Sequence, residues 1–133
     1  MSARRPSTLK HRVVVVEDSK AVRHSLELLL RTRGYVVSAF EDAEHLFDAD
    51  HSPEADCFLI DFRLPAQDGL QVLTALRAAG SAAPAIMITS CLTADLRAKA
   101  LAAGFRSIIE KPPQRLCLID EVANAIAEGP ALA

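Results

Sequence analysis

Val13-Val14-Val15-Val16-Glu17-Asp18-Ser19 sets four β-branched residues directly against two carboxylates and a hydroxyl. A short run that is apolar at every residue is how a parallel strand buried on both faces reads. The carboxylates then stand at the strand's C-terminal end, and Ser19 is a residue type that caps a following helix. Three further stretches repeat the arrangement: Cys57 to Ile60 before Asp61, Ala85 to Ile88 before Thr89, and Ile108-Ile109-Glu110 before Lys111. In an open parallel α/β sheet the strand C-termini share one edge, and ligands bind there. Residues far apart in the chain are therefore expected to meet in one pocket holding carboxylates, a hydroxyl and an ammonium.

The rest of the chain alternates accordingly. A helix is expected from Ser19 to about Arg33, with Val22, Leu26, Leu29 and Leu30 inward and Gly34 closing it. Tyr35 to Ala39 reads as the second strand, Asp42 to Asp48 as a short acidic helix, and Asp56 to Ile60 as the third strand after a break at Pro53. Asp68 caps a helix from Gly69 to about Ala79, and Ala85 to Ile88 follows the turn at 80–84. A helix from Thr93 to Ala103 ends at Gly104, Arg106 to Glu110 forms the fifth strand, and Gln114 to Ala127 the last helix. Strand and helix alternating with short connections predicts a doubly wound parallel sheet.

At 133 residues with half of them hydrophobic, the chain fits one domain with a sizeable core. A net charge of −2 argues against a mainly electrostatic nucleic-acid binder. No apolar stretch approaches the roughly 20 residues of a membrane span, and residues 1–12 lack a secretory apolar segment. Residues 1–11 read as a flexible basic tail, with Arg4, Arg5, Lys10 and the adjoining Arg12 solvated, and 129–133 as a C-terminal tail. The three cysteines, Cys57, Cys91 and Cys117, form no C-x-x-C pair and suit a reducing cytoplasm. Cys57 and Cys117 are expected as small hydrophobes in a strand and a helix, whereas Cys91 stands near Thr89 at the site edge.

Carboxylates crowded at one edge raise the cost of ionising all of them. A hard divalent cation resolves the conflict, and Mg²⁺ commonly joins one or two carboxylates to a phosphate. Asp18 and Asp61 are the expected direct ligands, with Glu17 acting through water. Lys111 and Thr89 are placed to meet phosphate oxygens, and Asp61 is placed to act as a carboxylate nucleophile. Taken singly, each residue has a plainer reading as a cap, a strand end or a surface charge. Their coincidence at successive strand ends favours phosphoryl chemistry.

Four segments, V-V-V-V-E-D-S, L-I-D-F-R-L-P-A-Q-D-G, I-M-I-T-S and I-I-E-K-P, carry a family resemblance over Val13 to Ala127. The chain resembles the receiver domain of two-component response regulators, the fold of the chemotaxis regulator CheY. The resemblance implies a flavodoxin-like (βα)5 fold with strand order 2-1-3-4-5 over residues 12–128. It implies that Asp61 takes a phosphoryl group from a phosphohistidine of a sensor histidine kinase or phosphotransfer protein. Mg²⁺ would be held by Asp18, Asp61, Glu17 and the backbone carbonyl of Arg63, and the phosphoryl oxygens by Thr89 and Lys111. Pro112 fits the family's cis-proline position and Gly69 its tight turn. The implied setting is cytoplasmic signalling to a downstream protein target without enzymatic turnover of other substrates, direct nucleic-acid contact or membrane insertion.

Two departures stand out. Ile108 occupies the position of the usual switch aromatic, and Pro113 that of a common Phe; Phe105 is close by, but strand geometry does not obviously let it substitute. Arg63 and Cys91 flank the site at positions that in this family influence acyl-phosphate lifetime, and Arg63 is expected either to shield the phosphoryl group from water or simply to face solvent. The alanines and leucines of the last two helices leave open a partner or homodimer surface. A phosphorylation-independent binding module and a small aspartate-based phosphohydrolase are the competing readings. The latter is opposed by Arg63 at the second position of the usual D-x-D pair.

Overall fold

The computed structural model describes residues 10–48 and 54–130. Five strands, β1 (Arg12–Val16), β2 (Val36–Phe40), β3 (Cys57–Asp61), β4 (Ala85–Thr89) and β5 (Ser107–Glu110), alternate with five helices. These are α1 (Lys20–Thr32), α2 (Ala43–Asp48), α3 (Gly69–Ala78), α4 (Ala94–Ala103) and α5 (Arg115–Glu128). All strand pairs are parallel, and the order is β2-β1-β3-β4-β5. The polar remainder of the tail, residues 1–9, the break at Pro53 and the end, 131–133, lie outside the described residues.

Alternation along the strands builds two cores. Val14, Val16, Phe58, Ile60, Ala85, Met87 and Ile108 face α2, α3 and α4. Val13, Val15, Cys57, Leu59, Ile86, Ile88 and Ile109 face α1 and α5. Both faces are covered, which is why each central strand carries an unbroken run of four apolar residues. Burial pushes the Cys57 thiol up to about 12, so it is an inert core group.

The turns that carry the site are pinned by caps. Ser19 Oγ accepts from Val22 N–H, Thr93 Oγ1 from Leu96 N–H, and Asp68 and Gln71 form a reciprocal capping box. Gly104 ends α4 with φ 111°, a conformation that costs any residue with a Cβ.

Two sequence expectations need correction. Arg12 is no part of a solvated tail: it opens β1, its N–H donates to Asp56 Oδ2 at 2.8 Å and its Nη1 to Ser38 Oγ at 2.7 Å. Cys117 is exposed rather than a core hydrophobe. The inner stripe of α5 is Leu118, Ile119, Val122 and Ala125, and Cys117 falls one step outside its phase. That same stripe, with Leu96 and Ala100 of α4, makes up the buried residues of the last two helices. Leu101 and Leu116 remain outward at 48% and 63% exposure.

Candidate functional site

Hydrogen-bond register brings the four strand ends to one edge. Val16 lies opposite Ile60, Asp61 opposite Ile88 and Thr89 opposite Glu110, so Glu17, Asp61, Thr89 and Lys111 all emerge together. The strands run one residue further than their apolar runs, which places Asp61 and Thr89 inside the ladder. Lys111 N–H donates to Thr89 O at 2.7 Å, fixing the end of β5 against β4.

Lys111 Nζ lies 2.7 Å from Glu17 Oε1 and 3.0 Å from Asp61 Oδ2. Glu17 is fully buried, Asp61 is 4% exposed, and Asp18 is exposed at the rim. One carboxylate oxygen from each of these three acids lies within 4.8 Å of the others. Glu17 Oε2 accepts from Ser19 N–H at 3.0 Å. Lys111 Nζ is therefore the charged partner of Glu17 Oε1, as Ser19 N–H is the partner of Oε2. Arg63 N–H reaches Asp61 Oδ1 at 3.4 Å, while its side chain is exposed.

Thr89 is buried at the end of the neighbouring strand. It follows Ala85 and Met87, which face the α2–α4 layer, whereas Asp61 follows Cys57 and Leu59 on the α1–α5 side. Its hydroxyl oxygen accepts from Cys91 N–H at 3.2 Å, tying exposed Cys91 to the same edge. The Lys111–Pro112 bond is cis. Ile108 and Phe105 are both buried in the α2–α4 core, so Phe105 supplies no exposed ring in place of the absent aromatic. A larger groove of about 840 Å³ lies between α2 and α3, lined by Ala43, Phe47, Pro65, Ala75 and Ala78, and none of the clustered acids borders it.

Arg23 is a site-edge residue that the strand-end pattern does not reveal. From the first turn of α1 its Nη1 donates to Glu17 O at 2.9 Å and Asp18 O at 3.4 Å. Its partners are backbone carbonyls, which leave no mark in a sequence pattern; the only available signal is an arginine one helical turn beyond the acidic pair.

Burial pushes the Glu17 carboxyl up to about 7; Lys111 and the Ser19 N–H oppose this, and the Asp61 charge adds to it. For Lys111 burial works against the charge, but Glu17 and Asp61 outweigh it and hold the ammonium above its ordinary value. A carboxyl raised in the folded state binds its proton more tightly there than in the unfolded chain. Its stabilising contribution is full below about 4.5 and is lost as pH rises through about 7. In metal-free buffer the unfolding free energy is expected to fall by about 2–3 kcal/mol between those limits. Denaturant titrations across that range should show the slope in the parent and not in Glu17→Gln.

Known proteins share the sequence pattern and the fold. A family model described as the response regulator receiver domain matches residues 13–123. The transcriptional regulatory protein FixJ of Bradyrhizobium diazoefficiens is 30% identical over 92% of this chain and 60% of its own length. TdiR of Thauera aromatica, also a transcriptional regulatory protein, is 35% identical over 86% of this chain and 51% of its own. The chain thus spans between half and three fifths of these relatives. A response regulator receiver protein from Burkholderia phymatum is 32% identical with a TM-score of 0.78, over 92% of this chain and all of its own. A CheY-like receiver domain from Methanospirillum hungatei JF-1 shares the fold, with a TM-score of 0.81 at 22% identity over 90% of this chain and 96% of its own. With a matching sequence model, the same strand order and the acidic cluster at the expected edge, the chain belongs to the receiver domain family of two-component response regulators.

Proposed function

We propose that the chain accepts a phosphoryl group onto Asp61 from a phosphohistidine and signals by protein contact or onward transfer. The observation that carries this reading is Lys111 bridging Glu17 and Asp61 inside a cluster of three carboxylates. An Asp61 carboxylate oxygen forms the new P–O bond as the donor's P–N bond breaks, and the histidine departs as neutral imidazole after taking up a proton. Lys111, already 3.0 Å from Asp61 Oδ2, meets the negative oxygens of the transferring group. Thr89 stands one strand away, and its hydroxyl, whose oxygen accepts from Cys91 N–H, has its own O–H to donate to the same group.

The all-oxygen donor set, three carboxylates with one oxygen each within 4.8 Å of the others, fits Mg²⁺. Asp18, Asp61, Glu17 and the Arg63 carbonyl would hold it. Bound there, the ion neutralises the acidic cluster and the phosphoryl oxygens. Arg63, with an exposed side chain beside Asp61, is free to cover the phosphoryl group and slow hydrolysis.

A sensor histidine kinase or phosphotransfer protein is the donor in this reading, in the cytoplasm, with a protein as the downstream target. Among the described residues no helix is long and apolar enough to cross a membrane. Buried Ile108 in place of a mobile ring moves the readout to backbone and loop shifts around Thr89 and Lys111.

Labelled acetyl phosphate with Mg²⁺ is expected to leave protein-bound phosphate that hydroxylamine removes, since hydroxylamine cleaves acyl phosphates and spares phosphate esters. Label that resists hydroxylamine would move the phosphate to a hydroxyl and end the reading. Small phosphomonoesters should release no phosphate, and steady turnover of them would favour the hydrolase instead.

A further inference from the structure

We infer that Arg23 is a positioning residue for the acidic site, clamping the turn between β1 and α1 so that Glu17 and Asp18 are presented together with Asp61. The inference rests on the Mg²⁺ site proposed above and deepens it.

The last ladder bond before this turn is Glu17 N–H to Phe40 O at 3.0 Å. Beyond it the chain leaves the sheet, and Asp18 is exposed on a bend. Arg23 reaches back across that bend to the Glu17 carbonyl at 2.9 Å and, more loosely, the Asp18 carbonyl at 3.4 Å. Its own N–H is fixed on Ser19 O at 2.8 Å, and Ser19 is both the cap of α1 and the donor to Glu17 Oε2. Strand end, acidic pair and helix start are thereby one hydrogen-bonded unit, with the guanidinium as its outer tie.

Arg23 bonds carbonyl oxygens; no contact with the Glu17, Asp18 or Asp61 carboxylates appears among its described hydrogen bonds and ion pairs. That separates two roles with opposite signs. A bare positive charge beside the pocket repels a divalent cation, so neutralising it would tighten Mg²⁺ binding. A clamp that orders the ligands favours the cation, so removing it weakens binding, as loss of groups orienting metal ligands does elsewhere. Lysine keeps the charge without the planar fork of donors.

Isothermal titration of the full chain with MgCl₂ tests this on the parent, Arg23→Gln and Arg23→Lys, with circular dichroism to verify folding. Arg23→Gln is expected to bind Mg²⁺ about tenfold more weakly, with Arg23→Lys between it and the parent. At saturating Mg²⁺ the acetyl phosphate labelling rate should return to the parent's, because Arg23 does not touch the reacting atoms. Parent-like or tighter binding by Arg23→Gln overturns the clamp while leaving the metal site standing. Should Arg23→Gln fail to fold, Arg23→Lys decides, and parent-like affinity in it overturns the clamp. A parent that binds no Mg²⁺ at millimolar concentration overturns the site and the clamp together.

Discussion

Lys111→Met is expected to slow phosphorylation of Asp61 by about a hundredfold, the usual scale for deleting one charged or hydrogen-bonding group aimed at a transition state. The ammonium is the only cation within ion-pair distance of Glu17 and Asp61 among the described residues. Methionine keeps the unbranched stem and removes the charge. In the resting site the loss leaves two buried carboxylates facing each other without a counter-cation. In the transition state it leaves the transferring phosphoryl oxygens without their protein cation. Mg²⁺ affinity should not fall in parallel, because the variant site is more anionic, not less. A stopped-flow or mass-based time course beside a Mg²⁺ titration separates the two quantities. Lys99→Met, which removes an exposed α4 lysine paired with Asp95, should alter neither. A parallel loss of Mg²⁺ binding and rate in Lys111→Met would mean that the lysine only maintains the fold of the pocket.

Gly69→Ala is expected to combine the largest loss of stability with a slowed reaction. A Cβ at Gly69 would lie 2.7 Å from the Asp61 carbonyl oxygen and 3.1 Å from Phe62 Cα. Both are backbone atoms, so no side chain can swing aside to make room. The helix cannot retreat cheaply either, since Gly69 N–H donates to Phe62 O at 2.8 Å and the Asp68–Gln71 capping box fixes its start. Overpacking of this kind costs about 2 kcal/mol, or roughly 8 °C in thermal midpoint for a chain of this size. The most crowded atom belongs to Asp61 itself, so its carboxylate should also lose alignment with Lys111. Gly80→Ala is the informative comparison. Nothing lies near its Cβ position, but its φ of 96° is strained for alanine, so about 1 kcal/mol should be lost with the reaction unchanged. Equal phosphorylation rates in Gly69→Ala and the parent would show that the close approach does not set the Asp61 position.

Much of this was legible in the sequence because the signals are local. A run such as Val13 to Val16 reads as a doubly buried strand, and Ser19 and Asp68 each cap the helix they precede. Gly34 and Gly104 stand where the chain must turn left-handed. The convergence of Glu17, Asp61 and Lys111 follows from strand ends sharing an edge, and it needed no knowledge of side-chain packing. Strand order was another matter. Alternation gives parallel strands without saying which are neighbours, and the order came from the family resemblance.

What the sequence concealed depends on phase and on backbone partners. Cys117 was placed in the right helix but on the wrong side, since one residue rotates a side chain by about 100°. Arg12 looked like part of a basic tail until Asp56 and Ser38 proved to be its partners, 44 and 26 residues away. Thr89 was expected to meet phosphate oxygens; that its hydroxyl oxygen also accepts from Cys91 N–H is a backbone partnership the sequence does not show. Arg23 binds carbonyls, so no residue type betrays its partner.

The most direct test of the central claim is the intact mass of the chain after incubation with acetyl phosphate, with and without Mg²⁺, beside Asp61→Asn. One phosphoryl adduct is expected on the parent, only when Mg²⁺ is present, and none on Asp61→Asn. An adduct that persists in Asp61→Asn, or no adduct on a parent that binds Mg²⁺, would contradict Asp61 as the acceptor; the second result would favour a phosphorylation-independent binding module.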